Sequence, residues 1–302
     1  MKANTTNENP VYACMALFGR KPLHPMMGLA RLDETKISTE QISLGCYLTV
    51  FTQNTNTCNH TCDYSEATLI FLPPNGCFSP ASSLSLYGSG YLAAIHPELM
   101  CRAASGLKRQ HPSFFDYHTD EALHLSLRES DQIRTLFNLM DHELRHPVDN
   151  CTETILSHHL QLFFDYVGRY YARQFITREH QNQILLQETE KLIDTSIRSG
   201  LSKGRNTPTV AQIAGKLDHS SAYLCDLIKS ETGKDWKDYL SLKRLDIARS
   251  LLCQPEYSAA TVAHLLGYAD CQLFCRMFKQ LTGNTPAEYN SLHLHTSSSY
   301  NW

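Results

Sequence analysis

Eleven cysteines, at positions 14, 46, 58, 62, 77, 101, 151, 225, 253, 271 and 275, are the most reactive side chains of this 302-residue chain. Their number is odd and they are scattered through candidate helices and strands. In a reducing compartment that pattern reads as free thiols, many buried as small hydrophobes, rather than a disulfide framework. Two places have spacing that could do chemistry. Cys58-x-His60-x-Cys62 sets three metal-ligand types within five residues, but in a Thr/Asn-rich loop with no second pair, so a tetrahedral zinc site is not expected. Cys271 and Cys275 lie one helical turn apart, open to oxidation or alkylation; the plainer reading is two small side chains on one helix face. Catalytic metal chemistry needs several histidines and a carboxylate converging on one ion, yet His60 has no partner two residues away and Glu66 does not complete a set. His293 and His295 sit in a polar tail expected to be disordered. No catalytic residue, metal or cofactor is assigned, and the chain is not expected to be an enzyme.

The elements that carry the later cysteines repeat. A run from Thr209 (TVAQIAGKLDHSSAYLCDLIKSETGKDWKDYL) is echoed from Thr261 (TVAHLLGYADCQLFCRMFKQLTGNTPAEYN). At an offset of fifty, Leu224 falls on Phe274, Cys225 on Cys275, Ile228 on Phe278, Lys229 on Lys279, Gly233 on Gly283 and Tyr239 on Tyr289; upstream the offset is forty-nine and Ala214 falls on Ala263. Self-similarity of this kind means one supersecondary unit used twice. Val210, Ile213, Ala214 and Leu217 form one helical face, Asp218-His219-Ser220 supplies a turn, and Leu224, Leu227 and Ile228 form a second face. Two short helices meeting at a small residue describe a helix-turn-helix. In the second copy Gly267 permits the turn, Asp270 is the expected N-cap of a helix from Cys271 to Gln280, and both copies close on Thr-Gly. Between them Trp236 to Cys253 reads as one helix of roughly 27 Å, a strut of the order of the spacing between successive major-groove segments, about 34 Å.

Upstream, residues 11 to about 120 read as strands. Leu44 to Thr52, Thr68 to Leu72, Ser83 to Leu86 and Tyr91 to Ile95 are short β-rich runs, and Pro73-Pro74-Asn75-Gly76 is a turn; such spacing suggests a small barrel or jelly roll. From Glu121 the period becomes helical. One stripe, Ile133, Leu136, Phe137, Met140 and Leu144, follows a candidate cap at Ser130 and should stop near His146-Pro147. A second comprises Ile155, Leu160, Phe163, Tyr166, Val167, Tyr170, Tyr171 and Phe175; Ile184 to Ile197 is a lead-in helix and residues 199 to 206 a loop. The expected class is α+β: an N-terminal β-barrel with packed helices over 1–180, then an all-α domain over 181–302 with helix-turn-helix units at 209–240 and 258–290 joined by a linker helix.

The residues Ser220-x-x-Tyr223-Leu224-x-x-x-x-Lys229-x-x-x-Gly233, Tyr239-Leu240, Arg244-Leu245-x-x-Ala248-x-x-Leu251-Leu252 and Gly267-Tyr268-x-Asp270-x-x-x-Phe274-x-Arg276-x-Phe278-Lys279-x-x-x-Gly283-x-Thr285-Pro286-x-x-Tyr289 together resemble the DNA-binding domain of AraC/XylS transcription regulators. The resemblance covers about a third of the chain. More weakly, the Pro-Pro-Asn-Gly turn and Gly90-Tyr91-Leu92-x-x-Ile95-His96-Pro97-x-Leu99 resemble the cupin-like sensor domain of such regulators. The resemblance implies base-facing positions at Ser221, Ala222, Cys225 and Asp226 in the first unit and Cys271, Gln272, Cys275 and Arg276 in the second. Arg276 suits guanine, Gln272 adenine, and Asp226, where the family is commonly basic, cytosine N4. Lys229 and Lys279 are phosphate-contact candidates or ordinary solvated lysines. Arg244 ties the strut to the units. Tyr47, Phe51, Phe71 and Tyr91 are candidates to line an effector pocket, or plain core.

Implied partners are a double-stranded DNA operator at a promoter, RNA polymerase, a second copy of the chain in a homodimer and a small-molecule effector. Two further readings stand beside a sequence-specific transcription regulator: a cysteine-based redox or alkylation sensor that binds DNA without a pocket, and a cupin-like metalloenzyme with an attached DNA module. Charge sits least easily with DNA binding. Residues 203–302 carry 11 Lys and Arg against 9 Asp and Glu, a balance of +2, within a chain of net −3. That implies modest nonspecific affinity and dependence on dimerisation or a second site. The opening MKANTTNENP lacks the apolar core of a signal peptide and no run is long enough to span a bilayer, so a soluble, cytoplasmic protein with no membrane partner is expected.

Overall fold

Strand β3, Tyr47–Gln53, is buried along nearly its whole length, which requires cover on both faces of the sheet it joins. The computed structural model describes residues 9–35, 42–53, 62–78, 89–105, 111–201, 208–254, 256–268 and 270–297, and the chain falls into two units, Met1–Glu179 and His180–Trp302. In the first, β1 (Met27–Arg31), β3, β4 (Ala67–Leu72), β6 (Gly90–Ile95) and β7 (Leu123–Leu125) form an antiparallel sheet in the order β1-β6-β3-β4-β7. Strands β2 (Ile42–Ser43) and β5 (Cys77–Phe78) form a separate pair. The mixed α+β class is as expected. Among the described residues the strands make this open sheet and short pair, and not the closed barrel that was expected. The expected strand over Ser83 to Leu86 lies outside the described residues, as do Cys58 and His60 of the zinc candidate.

Register sorts the core by parity. Val50 pairs with Ile70 and Leu92, and Leu48 with Leu72 and Ala94; these share a face with Val11, Cys14, Met15, Phe18 and Cys46 in one apolar cluster. Gly90 pairs with Thr52 where a Cβ would lie 2.0 Å from the Phe51 carbonyl oxygen, so only glycine allows the approach. The apolar cover comes from α1, Pro10–Leu17, a segment expected to be extended. Asn9 Oδ1 accepts from the Val11 and Tyr12 amides and Pro10 occupies the first turn, so local capping overrides the β-rich composition.

The alternate face carries Tyr47, Phe51, Phe71 and Tyr91, and it is filled. Phe71 meets Phe114, Phe115 and Phe163, Phe51 meets Phe137, Tyr47 meets Phe115, and Tyr91 stacks on Phe137 while its hydroxyl donates to Asn138 Oδ1 at 2.6 Å. The four pocket candidates are thus built into an aromatic core between the sheet and helices α3 (Leu127–Arg145) and α4 (Thr152–Thr177). Strand parity, invisible without the register, puts them there.

Helix α2, Pro97–Ala103, is capped by His96 Nδ1. Helix α3 starts earlier than expected: Ser126 and Glu129 form a reciprocal capping box, and Ser130 lies buried inside the helix accepting from Gln53 Nε2. Its stripe is buried as expected and it stops at Arg145. In α4 the stripe is buried except at Tyr166, which is half-buried, and at Ile155, which is exposed because Leu156 takes the core position one residue on.

Helix α5, Glu179–Leu201, opens the second unit, extending past the expected lead-in into the expected loop. It is followed by α6 (Val210–Lys216), α7 (Ser221–Thr232), α8 (Trp236–Leu252), α9 (Ala259–Leu265), α10 (Cys271–Thr282) and α11 (Pro286–Ser297). The tail expected to be disordered from His293 is helical to Ser297. No helix among the described residues is long and apolar enough to cross a membrane.

Candidate nucleic-acid interface

The two repeated units are built by the same hydrogen bonds. In the first, Thr209 caps α6 and its hydroxyl accepts from the Gln212 amide; in the second, Ser258 caps α9 and accepts from the Thr261 amide. The turn after α6 is closed by the His219 amide donating to the Ala214 carbonyl, with Asp218 at φ 56°. The turn after α9 is closed by the Tyr268 amide donating to Ala263, with Gly267 at φ 75°. Ser220 caps α7 through the Tyr223 amide and Asp270 caps α10 through the Gln272 amide. His219 to Tyr268 is an offset of forty-nine and Ser220 to Asp270 one of fifty, so the shift in repeat offset is one residue inserted in the second turn. The recognition-type helices end alike: the Thr232 and Thr282 hydroxyls each donate to a carbonyl four residues back at 2.7 Å, and Gly233 and Gly283 sit at φ 70° and 82°.

Burial sets which residues these helices present. Leu224, Leu227 and Ile228 are fully buried in α7, as are Phe274 and Phe278 in α10. In α10, Gln272 and Arg276 are exposed one turn apart, and among the described residues Arg276 makes no ion pair; Cys271 and Cys275 lie beside them half-buried, with Sγ atoms 3.9 Å apart. Burial, then the Cys271 thiol and the charge of Asp270, push the Cys275 thiol up. In α7, Ser221, Cys225 and Asp226 are half-buried and Ala222 is only 8 % exposed, packed into its own unit. The outward polar surface is therefore larger on the second unit. Lys229 and Lys279 are exposed near the ends of their helices. Nothing in the sequence singles out Leu273, 48 % exposed on the first turn of α10 beside Gln272, an apolar side chain of the kind that meets a thymine methyl. Its counterpart at offset fifty, Tyr223, is buried, so the repeat itself hid it.

The strut α8 is fastened along its first half and at its middle. Its Tyr239 hydroxyl donates to Glu190 Oε1 of α5 at 2.8 Å, and Lys243 Nζ approaches the same oxygen at 2.8 Å. Burial raises the Glu190 carboxyl, but those two donors and the Lys243 charge outweigh it and hold the group below its ordinary value; burial and then Glu190 push the Tyr239 phenol up. Further along, Arg244 donates from Nη2 to the Leu266 carbonyl and lies over the Tyr268 ring, 4.2 Å from its centroid. The expected tie between strut and units is therefore a guanidinium gripping the turn of the second one.

Among the described residues no group of three or more His, Cys, Asp and Glu side chains is gathered as a metal would need. Buried polar chemistry instead clamps the first unit. Arg178 makes a bidentate pair with Asp63 at 2.8 and 2.7 Å, the Asp63 side chain being 0 % and that of Arg178 4 % exposed, and His124 Nε2 lies 3.6 Å from Asp63. Gln174 bridges to the backbone of β7 and of the residue before it, accepting from the His124 amide and donating to the Ala122 carbonyl. None of this network is legible in the sequence, because its central partners are 115 residues apart.

A family model described as a helix-turn-helix domain matches residues 213–291. An HTH-type transcriptional regulator of Bacillus subtilis, YtdP, is 35 % identical over 81 residues, 27 % of this chain and 10 % of its own length. The Msm operon regulatory protein of Streptococcus mutans is 27 % identical over 113 residues, 37 % of this chain and 36 % of its own length. The chain thus spans well under half of these curated relatives. Among solved structures, a transcriptional regulator with an AraC-type DNA-binding domain from Chromobacterium violaceum is 23 % identical, with 38 % of this chain covering 96 % of that one at a TM-score of 0.34. The two capped, turn-closed units and the family match over them lead to one conclusion: residues 213–291 are a helix-turn-helix domain.

Proposed function

We propose that this chain is a sequence-specific DNA-binding transcription regulator whose paired helix-turn-helix units read a double-stranded operator at a promoter. The observation that carries this reading is the second unit, where a capped helix presents Gln272 and Arg276 outward from a buried Phe274–Phe278 spine. A guanidinium fork matches guanine O6 and N7, and a carboxamide matches adenine N6 and N7. Ser221, Cys225 and Asp226 of the first unit, with Ala222 behind them, are the remaining base-facing assignments, and Lys229 and Lys279 serve as phosphate contacts. The domains assigned are 1–180, a cupin-like sensing and dimerising module, and 181–302, the reading module. A small-molecule effector preferring one arrangement of the two would shift the population competent for DNA, and the bound regulator would act on RNA polymerase. The assignment is cytoplasmic, with no catalytic role and no resident cofactor.

The test is selection of bound fragments from the source genome by the purified full-length chain, in parallel with Arg276→Ala, at one fixed salt concentration near physiological. The expected result is a motif of two short boxes about one helical turn apart, with the variant losing preference at one base by about 1–3 kcal/mol. Unchanged specificity in the variant would overturn the assignment of Arg276. Failure of the wild-type chain to enrich any motif, with and without candidate effectors, would overturn the regulator reading.

A further inference from the structure

The Sγ atoms of Cys271 and Cys275 stand 3.9 Å apart on the first turns of α10, both half-buried, both free thiols. On a helix, Cβ atoms four residues apart are about 5–6 Å from each other, whereas a disulfide needs Cβ atoms roughly 3.5–4.5 Å and sulfurs about 2 Å apart. The pair is too wide to oxidise without unwinding the turn that Asp270 caps. It is well placed for one atom between the sulfurs. With sulfur–metal bonds of about 2.3 Å, sulfurs at this separation subtend about 115° at a shared ion, close to the tetrahedral angle. Thiolates are soft ligands that select thiophilic ions over magnesium or calcium. The repeat supplies an internal contrast: the equivalent positions of the first unit hold Ser221 and Cys225, one thiol instead of two.

We propose that Cys271 and Cys275 are a two-thiolate site for a single thiophilic d10 metal ion, and that filling it silences the second reading helix. Two S–H bonds break, two sulfur–metal bonds form and two protons pass to solvent, with nothing oxidised or reduced. No third His, Cys, Asp or Glu joins the sulfurs among the described residues, so water completes the shell of the ion. The hydrated ion occupies the space beside Gln272 and Arg276 that a base edge would need. This silencing rests on the reading of α10 as a DNA-contacting helix.

Cadmium is the probe. Reduced full-length wild type, Cys271→Ser and Cys275→Ser are titrated with Cd(II), following thiolate-to-cadmium charge-transfer absorption, and DNA affinity is measured in the same samples. Each protein is compared with its own ion-free state. The expected result is a charge-transfer equivalent in wild type that both variants lack, accompanied by at least a tenfold loss of affinity that a chelator reverses, against less than a twofold change in either variant. Equal uptake by all three proteins overturns the site, and uptake by the pair without loss of affinity overturns the silencing. A disulfide mapped to this pair after mild peroxide treatment, with α10 intact by circular dichroism, overturns the spacing argument. If ion-free wild type selects no DNA, the regulator reading fails and the silencing with it, while the absorption difference still decides the metal site.

Discussion

At the scale of single residues, the positions that shape the reading helices differ in kind from those that would read. Gly233 and Gly283 are required by backbone conformation: each ends a helix at positive φ, and a Cβ added there would meet nothing within 4 Å. The cost of a side chain is therefore purely that of the left-handed region. Gly283→Ala should destabilise the second unit by about 1–2 kcal/mol, and Gly283→Asn by less, because asparagine tolerates that region better. Urea denaturation of the three proteins checks this, and equal midpoints would show that the cap contributes nothing. The residues proposed to read bases carry no such signature. Arg276 and Gln272 are ordinary exposed side chains whose meaning comes from the helix that aims them. Ala222 shows the converse, a position assigned to bases that the structure packs into its own unit.

At the scale of elements, the informative contacts join segments far apart in sequence. Helix α4 ends at Thr177, and the next residue, Arg178, is held by Asp63 from the segment leading into β4. Removing one partner of a buried ion pair leaves the other charge uncompensated, at a cost of about 3–5 kcal/mol. Asp63→Asn should therefore lower the stability of the first unit by roughly that amount, while Asp63→Asn with Arg178→Met should lose less than the single change. Thermal unfolding followed by circular dichroism distinguishes the two outcomes, and equal losses would show that the paired charge is not what matters. Within the second unit the amphipathic stripes, the turns and the Asp270 cap were legible in sequence because each is local; the caps at Thr209, Ser220 and Ser258, also within three residues of the amides they bind, emerge in the structure. Helix α1 was not legible, since its cap at Asn9 and Pro10 precedes a segment apolar on every side and no period distinguishes it from a strand.

At the scale of the whole molecule, charge limits how this chain would hold DNA. Residues 203–302 carry a balance of only +2, so the counterion-release contribution to binding is small and site-specific contacts must supply more of the affinity. The slope of log affinity against log salt should be shallow for a double reading head, and Lys229→Ala or Lys279→Ala should each reduce its magnitude by about 0.9 with little change in preferred sequence. Salt titration of binding to a selected fragment measures this. An unchanged slope in both variants would assign the lysines to solvent.

What the sequence by itself determined is what repeats or is local: the duplicated unit, its turns and the Asp270 cap, the strut between the copies, and a change from strand to helix periodicity, expected at Glu121 and set by the structure at Leu127, after β7, with the helix Pro97–Ala103 already lying among the expected strands. These follow from short-range hydrogen bonding and side-chain period, which a linear chain displays directly. The tertiary structure alone decided which strand faces meet which helices, and so that Tyr47, Phe51, Phe71 and Tyr91 fill an aromatic core. It also decided that Arg178 finds Asp63 and that Arg244 grips the turn at Leu266. Each of these depends on register or on a side-chain direction, and a residue carries neither until its neighbours in space are set.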